Sequence, residues 1–227
     1  MINLTVGAGM LAIWHDVVSG HEAAVEHWYN SEHHFERLGI SGFCEATRYQ
    51  APEATSRRYM CLYRTKDPAV LSTAAYLARV NDPTTWTQDI MPLYRNFSRT
   101  ICQVSHVAGR GRGGWVAALA MALEPGSTER LDPELIGQIS GQLLNQQGTL
   151  RCSWLARADQ TTAQPSTKES RLRRGSNQEI DAAILIDTNH QSQAADTLAT
   201  LETLLEDASV NYSMRQRGSY QQVFSAT

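Results

Sequence analysis

The chain lacks any run of about 18 apolar residues, the length a helix needs to cross a bilayer, so no membrane span is expected. It also lacks a positive surplus: 20 Lys and Arg stand against 23 Asp and Glu, a formal charge of −3 over 227 residues. Nucleic acids and anionic membrane surfaces reward a basic face, and neither is an expected partner. The four cysteines, Cys44, Cys61, Cys102 and Cys152, form no C-x-x-C pair. Three of them fall in apolar strand-like runs, where a thiol behaves as a small buried hydrophobe. Reduced, structural thiols in a cytoplasmic protein are therefore expected. Residues 1–10 hold no basic segment followed by an apolar stretch and do not read as a secretory signal. His-Glu-x-x-His is missing, as is an i, i+4 histidine pair with a third ligand, so no metal is expected.

What is present suffices for a sizeable core, with 42% hydrophobic residues. Residues 10–16, around Ile13 and Trp14, form a strand candidate. A helix follows to Leu38, with Ser19 as N-cap and Gly39 as its stop. Ala24, Trp28, Phe35 and Leu38 are its expected buried stripe. Strands are expected over 43–50 and 58–64, joined by a turn over 52–57. A helix then opens at Asp67-Pro68 and runs to Val80. Residues 83–94 read as irregular or as a short helix, and a strand over 97–106 closes the unit.

Residues 109–114, Gly-Arg-Gly-Arg-Gly-Gly, read as a linker. A phosphate loop would need a Gly-Lys-Ser/Thr ending or a following helix, and Trp115 starts a strand instead. The order then repeats: a strand over 115–123, a helix from Asp132-Pro133 through Leu144, and a strand over 149–158. The polar stretch 160–177, with Pro165, Arg171, Arg173 and Arg174, reads as a long mobile hairpin loop. A strand over 180–186, a helix over 194–205 and an extended region over 210–224 complete the chain.

Strand-helix-strand-strand-helix-strand thus occurs twice, the order of a ferredoxin-like unit. The expected fold is α+β: tandem ferredoxin-like βαββαβ units forming an intrachain pseudo-dimeric α/β barrel. Residues 1–108 make a ferredoxin-like domain with the active-site cleft, 109–114 the linker, and 115–227 a divergent covering domain. Helices cover one face of each sheet, and the sister sheet covers the other, as a barrel or a sandwich with a cleft between sheets. A monomer is then self-sufficient; a homodimer through exposed helices or strand edges is the alternative.

Five of the seven histidines, His15, His21, His27, His33 and His34, lie within twenty residues. The run from Trp28 to Arg37 is the densest in chemistry. Glu32 lies one turn beyond Trp28, close to the expected stripe, where a carboxylate must be paired or face a polar cavity. Imidazoles beside a carboxylate have the parts for proton transfer near neutral pH. The other reading of the run is a solvated polar face. His27 and His34, two turns apart on one side, are a reachable but loose pair, weak in ligand count and spacing for a metal site. His15 and Asp16 end the first strand, and Arg48 and Tyr49 the second. These strand ends can line the same cleft, where an Arg can grip a carboxylate or phenolate, or simply pair across the sheet edge.

Trp14, Trp28-Tyr29-Asn30, Glu32-His33, Glu36-Arg37-Leu38, Gly42-Phe43, Arg48-Tyr49 and Tyr59-Met60-Cys61-Leu62-Tyr63 together carry a resemblance. In these residues the first hundred positions resemble the dimeric α/β-barrel superfamily, and within it EthD-like proteins. The second half matches only in element order. The superfamily includes cofactor-free monooxygenases, polyketide cyclases, muconolactone isomerases, haem-degrading enzymes, chlorite dismutase-like haem proteins and stress-response barrels. The resemblance implies that Glu32, His33 or His34, Arg37 and Tyr49 line the cleft. It implies an enzyme of catabolism acting on a small aromatic, lactone or carbonyl compound by His/Glu-assisted proton transfer. Such an enzyme is a lyase, isomerase or cyclase, or a cofactor-free monooxygenase. His33, His34 and Glu32 would be catalytic, and Trp14, His15, Trp28, Tyr29, Arg37, Arg48 and Tyr49 would bind the substrate. No cofactor is needed on this reading. The alternatives are a non-catalytic ligand-binding or stress-response barrel, and a haem enzyme with His106 or His190 as proximal ligand.

Overall fold

The computed structural model describes residues 8–52, 56–158, 166–173 and 175–227. Residues 1–7, the middle of the expected 52–57 turn, and residues 159–165 and Arg174 of the expected 160–177 loop lie outside the described residues. The first half runs β1 (Gly9–Val17), α1 (Glu22–Trp28), a π-helical turn (Tyr29–His33), α2 (His34–Leu38), β2 (Phe43–Gln50), β3 (Tyr59–Thr65), α3 (Ala74–Asn81), α4 (Thr85–Ile90) and β4 (Tyr94–Gly109). The second runs β5 (Trp115–Leu123), α5 (Ser127–Arg130), α6 (Pro133–Leu144), β6 (Thr149–Arg157), α7 (Lys168–Leu172), β7 (Ala182–Thr188), α8 (Gln191–Asp207) and β8 (Tyr212–Ala226).

All eight strands close into one antiparallel barrel in the order β1-β3-β2-β8-β5-β7-β6-β4. The halves therefore meet edge to edge rather than as two stacked sheets, and the expected cleft between sheets is replaced by a packed barrel interior. Two long strands make the seams. β4 pairs with β1 over its first part and with β6 from Cys102 to Gly109. β8 pairs with β5 and then, from Gln221 to Ala226, with β2. Each half thus uses the other to satisfy the N–H and C=O groups of its open edges. The linker lies against β6 and β7. Gly109 has φ +81, and a Cβ there would collide with the Leu150 carbonyl; one on Gly113 would collide with the Thr188 carbonyl.

Strand alternation sorts the side chains into three layers. Met10, Ala12, Trp14, Tyr49, Met60, Leu62 and Tyr220 fill the barrel interior, facing the small Ala118, Ala120 and Ala183 of the second half. The alanines make room for the large rings opposite them. Leu11, Ile13, Cys61 and Tyr63 point outward under α1 and α3. Leu119, Trp154 and Ile184 do the same under α6 and α8.

The first helix departs from expectation. It starts at Glu22, whose carboxylate accepts the Gly20 N–H at 2.8 Å, so Ser19 is not its cap. The His34 N–H reaches the Tyr29 carbonyl, an i→i+5 bond that widens one turn. Beyond that turn the inward face is rotated relative to a regular helix. Ala24 and Phe35 of the expected stripe are exposed, while Val25, Trp28, Tyr29, His33, His34 and Arg37 are buried. The expected mobile loop over 160–177 is corrected in part: it contains α7, begun by a Thr167–Ser170 capping box and folded against the first half.

Candidate active site

The ten residues expected at the site are divided by the barrel wall. Trp14 and Tyr49 point into the interior. His15 and Arg48, their immediate neighbours, point the other way, into the layer beneath α1 and α2, because side chains alternate along a strand. There they meet Trp28, Tyr29, His33, His34 and Arg37. The site that these residues can form therefore lies between the barrel wall and the first-half helices.

Tyr29, held by the π turn, is its centre. Tyr94 Oη donates to Tyr29 Oη at 2.5 Å, and Tyr29 Oη lies 3.4 Å from His15 Nε2. His15 Nδ1 is 3.2 Å from the Asp16 carbonyl, which has only acceptor capacity, so this nitrogen carries the proton and Nε2 accepts from Tyr29. The His15 ring stacks on Tyr94 at 4.4 Å and on Tyr59 at 5.5 Å. His34 stacks between Tyr29, at 4.8 Å, and Phe224 of β8, at 4.7 Å. Arg48, 1% exposed, places its guanidinium 5.4 Å from the Tyr29 ring and 5.0 Å from the Tyr59 ring. Its only carboxylate contact described is Glu26 at 3.6 Å, and Glu26 is 46% exposed.

Several polar atoms in this layer are buried without a hydrogen-bond partner: both ring nitrogens of His34, Nε of Arg48 and Oη of Tyr63. Leaving such groups unpaired costs about 1–3 kcal/mol each. Burial, followed by the nearby Arg48 charge, pushes the His34 pKa down to about 3. His15 is likewise lowered to about 3, chiefly by burial. His33, stacked on Trp28 at 4.1 Å, is lowered well below the ordinary range by burial and Arg37. These imidazoles are neutral near pH 7, and the burial that keeps them neutral leaves them weak bases until a negative charge develops beside them.

Their burial makes stability acid-sensitive. The folded pKa values lie below the unfolded value, so between about 6.5 and 3 the unfolded chain binds more protons and stability falls as pH falls. Each imidazole contributes a slope of about 1.4 kcal/mol per pH unit within that window. Urea midpoints measured at pH 7, 5.5 and 4.5 are expected to fall steadily, and His15→Gln is expected to flatten the trend. Equal slopes for the two chains would show that His15 is not buried neutral.

Glu32 is not brought to the imidazoles. Its carboxylate accepts from Thr84 Oγ1 at 2.7 Å and Thr87 Oγ1 at 3.4 Å, while Thr87 also accepts from Trp28 Nε1 at 3.2 Å. The carboxylate nearest His33 is Glu36, at 3.8 Å, itself paired with Arg79 at 3.0 Å. Arg37 is committed to Glu169 of α7: its Nη2 donates to both carboxylate oxygens at 2.6 Å. Sequence reasoning missed Tyr94, Glu169 and Phe224. Tyr94 could have been found by extending β4 backward by alternation. Glu169 and Phe224 have no local signal, because their partners lie far away in the chain.

At the barrel end formed by Met10, Glu45 and Arg64 lies a cavity of about 30 Å³. That is room for about one or two waters, not for an aromatic substrate. Among the described residues no group of three His, Cys, Asp or Glu side chains is placed to hold a metal ion, and no helix is long and apolar enough to cross a membrane.

The chain has the ferredoxin-like α/β-barrel fold, closed within one polypeptide. Solved structures share it at low sequence identity. An anthrone oxidase-like protein is 11% identical with a TM-score of 0.65, over 96% of this chain and 92% of its own. A protein named as a monooxygenase, from Fusobacterium nucleatum, is 10% identical with a TM-score of 0.56, over 96% and 94%. One named as a chlorite dismutase is 12% identical with a TM-score of 0.56, over 95% and 94%. No family model matches the sequence, and no curated protein does.

The haem alternative can be tested on the two histidines outside the patch. His190 is exposed at the start of α8, its N–H held by Gln193 Oε1 at 3.2 Å. His106 is the cross-strand partner of Trp154, on the face that α6 covers. That layer is already filled by Trp154, Ile139, Leu143 and Cys152. These residues do not fit a haem.

Proposed function

We propose that the protein is an enzyme that removes a proton from a small aromatic or carbonyl compound and stabilises the resulting anion. The observation that carries this is the pair of groups at the Tyr29 ring: a neutral His34 with both nitrogens unpartnered, and the buried, under-partnered cation of Arg48. A phenol or enolisable ketone entering beside them would give its proton to His34. Arg48 would hold the phenolate or enolate oxygen, a charge-assisted contact that strengthens as charge develops. Trp28, Tyr29, Tyr59 and Phe224 supply the flat apolar walls that such a substrate needs.

An enolate is the shared intermediate of isomerisation, cyclisation and cofactor-free oxygenation. Among these, oxygenation of a polycyclic phenol or anthrone is favoured by the likeness to the anthrone oxidase-like and monooxygenase structures, together with the EthD-like motif. Glu32 has a supporting place here: through Thr87 it fixes Trp28 and thus the start of the π turn.

The test is turnover of a panel of anthrones and related hydroxy-ketones, followed by oxygen uptake and absorbance in the presence of a chelator. His34→Ala is expected to lower the rate about 10²–10⁴-fold, the range for loss of a general base. Glu32→Gln is expected to change it by less than about tenfold, since it keeps its shape and a hydrogen-bonding amide. Equal rates for wild type and His34→Ala would remove the proton-transfer role.

A further inference from the structure

At the barrel end opposite the small cavity, Arg57 is a buried guanidinium that no carboxylate touches among the described residues. It is 5% exposed, and it donates only to neutral oxygens. Nε reaches the Asn96 carbonyl at 2.7 Å, Nη1 the Arg215 carbonyl at 2.5 Å, and Nη2 the Gln178 side chain. Asp16 does not neutralise the guanidinium by contact. Its carboxylate is spent on the backbone N–H groups of Arg57, at 3.0 Å, and Arg58, at 2.7 Å, and on Asn96 Nδ2, at 2.8 Å. Burial pushes the Arg57 pKa down; Tyr220 and the Asp16 carboxylate oppose the shift, and the Arg215 charge adds to it. Two cations that line one cavity with no carboxylate in its described wall favour an anion between them.

Backbone strain points to the same place. Arg57 and Asn96 have φ of 57° and 49°, the left-handed region that non-glycine residues rarely adopt. Asp16 holds both, which aims them at the barrel mouth. Strained residues of this kind are retained where the surroundings over-determine them, frequently at ligand clamps. Arg57, Asn96, Phe97, Ser176, Gln178 and Arg215 line a cavity of about 370 Å³ there, within the range of small-molecule sites. Its polar lining comprises two guanidiniums, two carboxamides and two hydroxyls, with no carboxylate among the described lining residues. Arg57 and Asn96 come from the first half and Gln178 and Arg215 from the second.

We propose that this cavity binds a small dianion, a phosphate monoester or a dicarboxylate, between Arg57 and Arg215. The ligand would supply a counter-charge inside the cavity, whose described wall holds no carboxylate, and bridge the two halves across the barrel mouth. It would be a site separate from the Tyr29 cluster, so its presence does not depend on the reaction proposed there.

Isothermal titration calorimetry of the full chain with glycerol 3-phosphate and with malonate, at constant ionic strength, tests this. One-to-one saturable binding of either probe is expected, the first assigning a phosphorylated ligand and the second a dicarboxylate. Arg57→Gln removes a structural contact and can unfold the mouth, so Arg215→Gln, at an exposed position, carries the test. It is expected to weaken binding at least tenfold, while Arg130→Gln, an exposed arginine on α5, leaves it unchanged. No binding of either probe, or equal weakening by Arg215→Gln and Arg130→Gln, overturns the proposal.

Discussion

Glu169→Ala is expected to lower unfolding free energy by about 3–5 kcal/mol, the range for breaking one partner of a buried ion pair. Arg37 and Glu169 are 3% and 4% exposed. Burial disfavours the charged guanidinium, yet the adjoining carboxylate carries the Arg37 pKa above its ordinary value. With the carboxylate gone, that cation is left in an apolar layer with Tyr76 beneath it at 5.8 Å. The double variant Arg37→Met, Glu169→Leu is expected to recover most of the loss, because the cost lies in the orphaned charge. Urea denaturation of the three chains decides: a loss below about 1 kcal/mol for Glu169→Ala would mean the pair is solvent-screened. The same substitution frees α7 from the helix bearing His34, so it is also the change most able to loosen the candidate site from a distance.

Arg48→Ala has the largest expected effect on chemistry after His34. Loss of a group that stabilises developing negative charge costs about 10²–10³ in kcat. Its partner Glu26 provides the contrast. That carboxylate is half exposed and 3.6 Å away, and a pair of this kind is worth about 0–1 kcal/mol. Glu26→Gln is therefore expected to leave turnover within about fivefold by the same principle. If the two substitutions slowed turnover equally, Arg48 would be acting through its ion pair, and the anion-holding role would fail. Folding of both variants is checked by circular dichroism before rates are compared.

Element order was legible because apolar runs, the Asp132-Pro133 start and glycine stops are local signals. Asp67-Pro68 opens only a short turn over Pro68–Ser72, and α3 starts anew behind its own cap, Thr73. The side that each residue faces was not. In a half-exposed sheet polar and apolar residues alternate, and the alternation names the core face. Here both faces of β1–β3 are covered, one by the barrel interior and one by helices, so Trp14-His15 and Arg48-Tyr49 carry no mark of which points where. The π turn defeated the helical wheel for a similar reason: one i→i+5 bond after Trp28 turns Phe35 out and His34 in, and no residue type announces it. The polar stretch containing Glu169 looked like solvent-facing chain because its burial depends on Arg37, 132 residues away.

The unequal filling of the barrel has an evolutionary and engineering consequence. In an assembly of two identical chains, any substitution appears on both sides of the axis, so a bulky ring on one side would confront its own copy. Joining β4 to β5 through residues 110–114 within one chain removes that constraint. One half can then carry Trp14 and Tyr49 while the other carries Ala118 and Ala120. Exchanging either half for a second copy of its neighbour is therefore a swap that the interior volume will not accept.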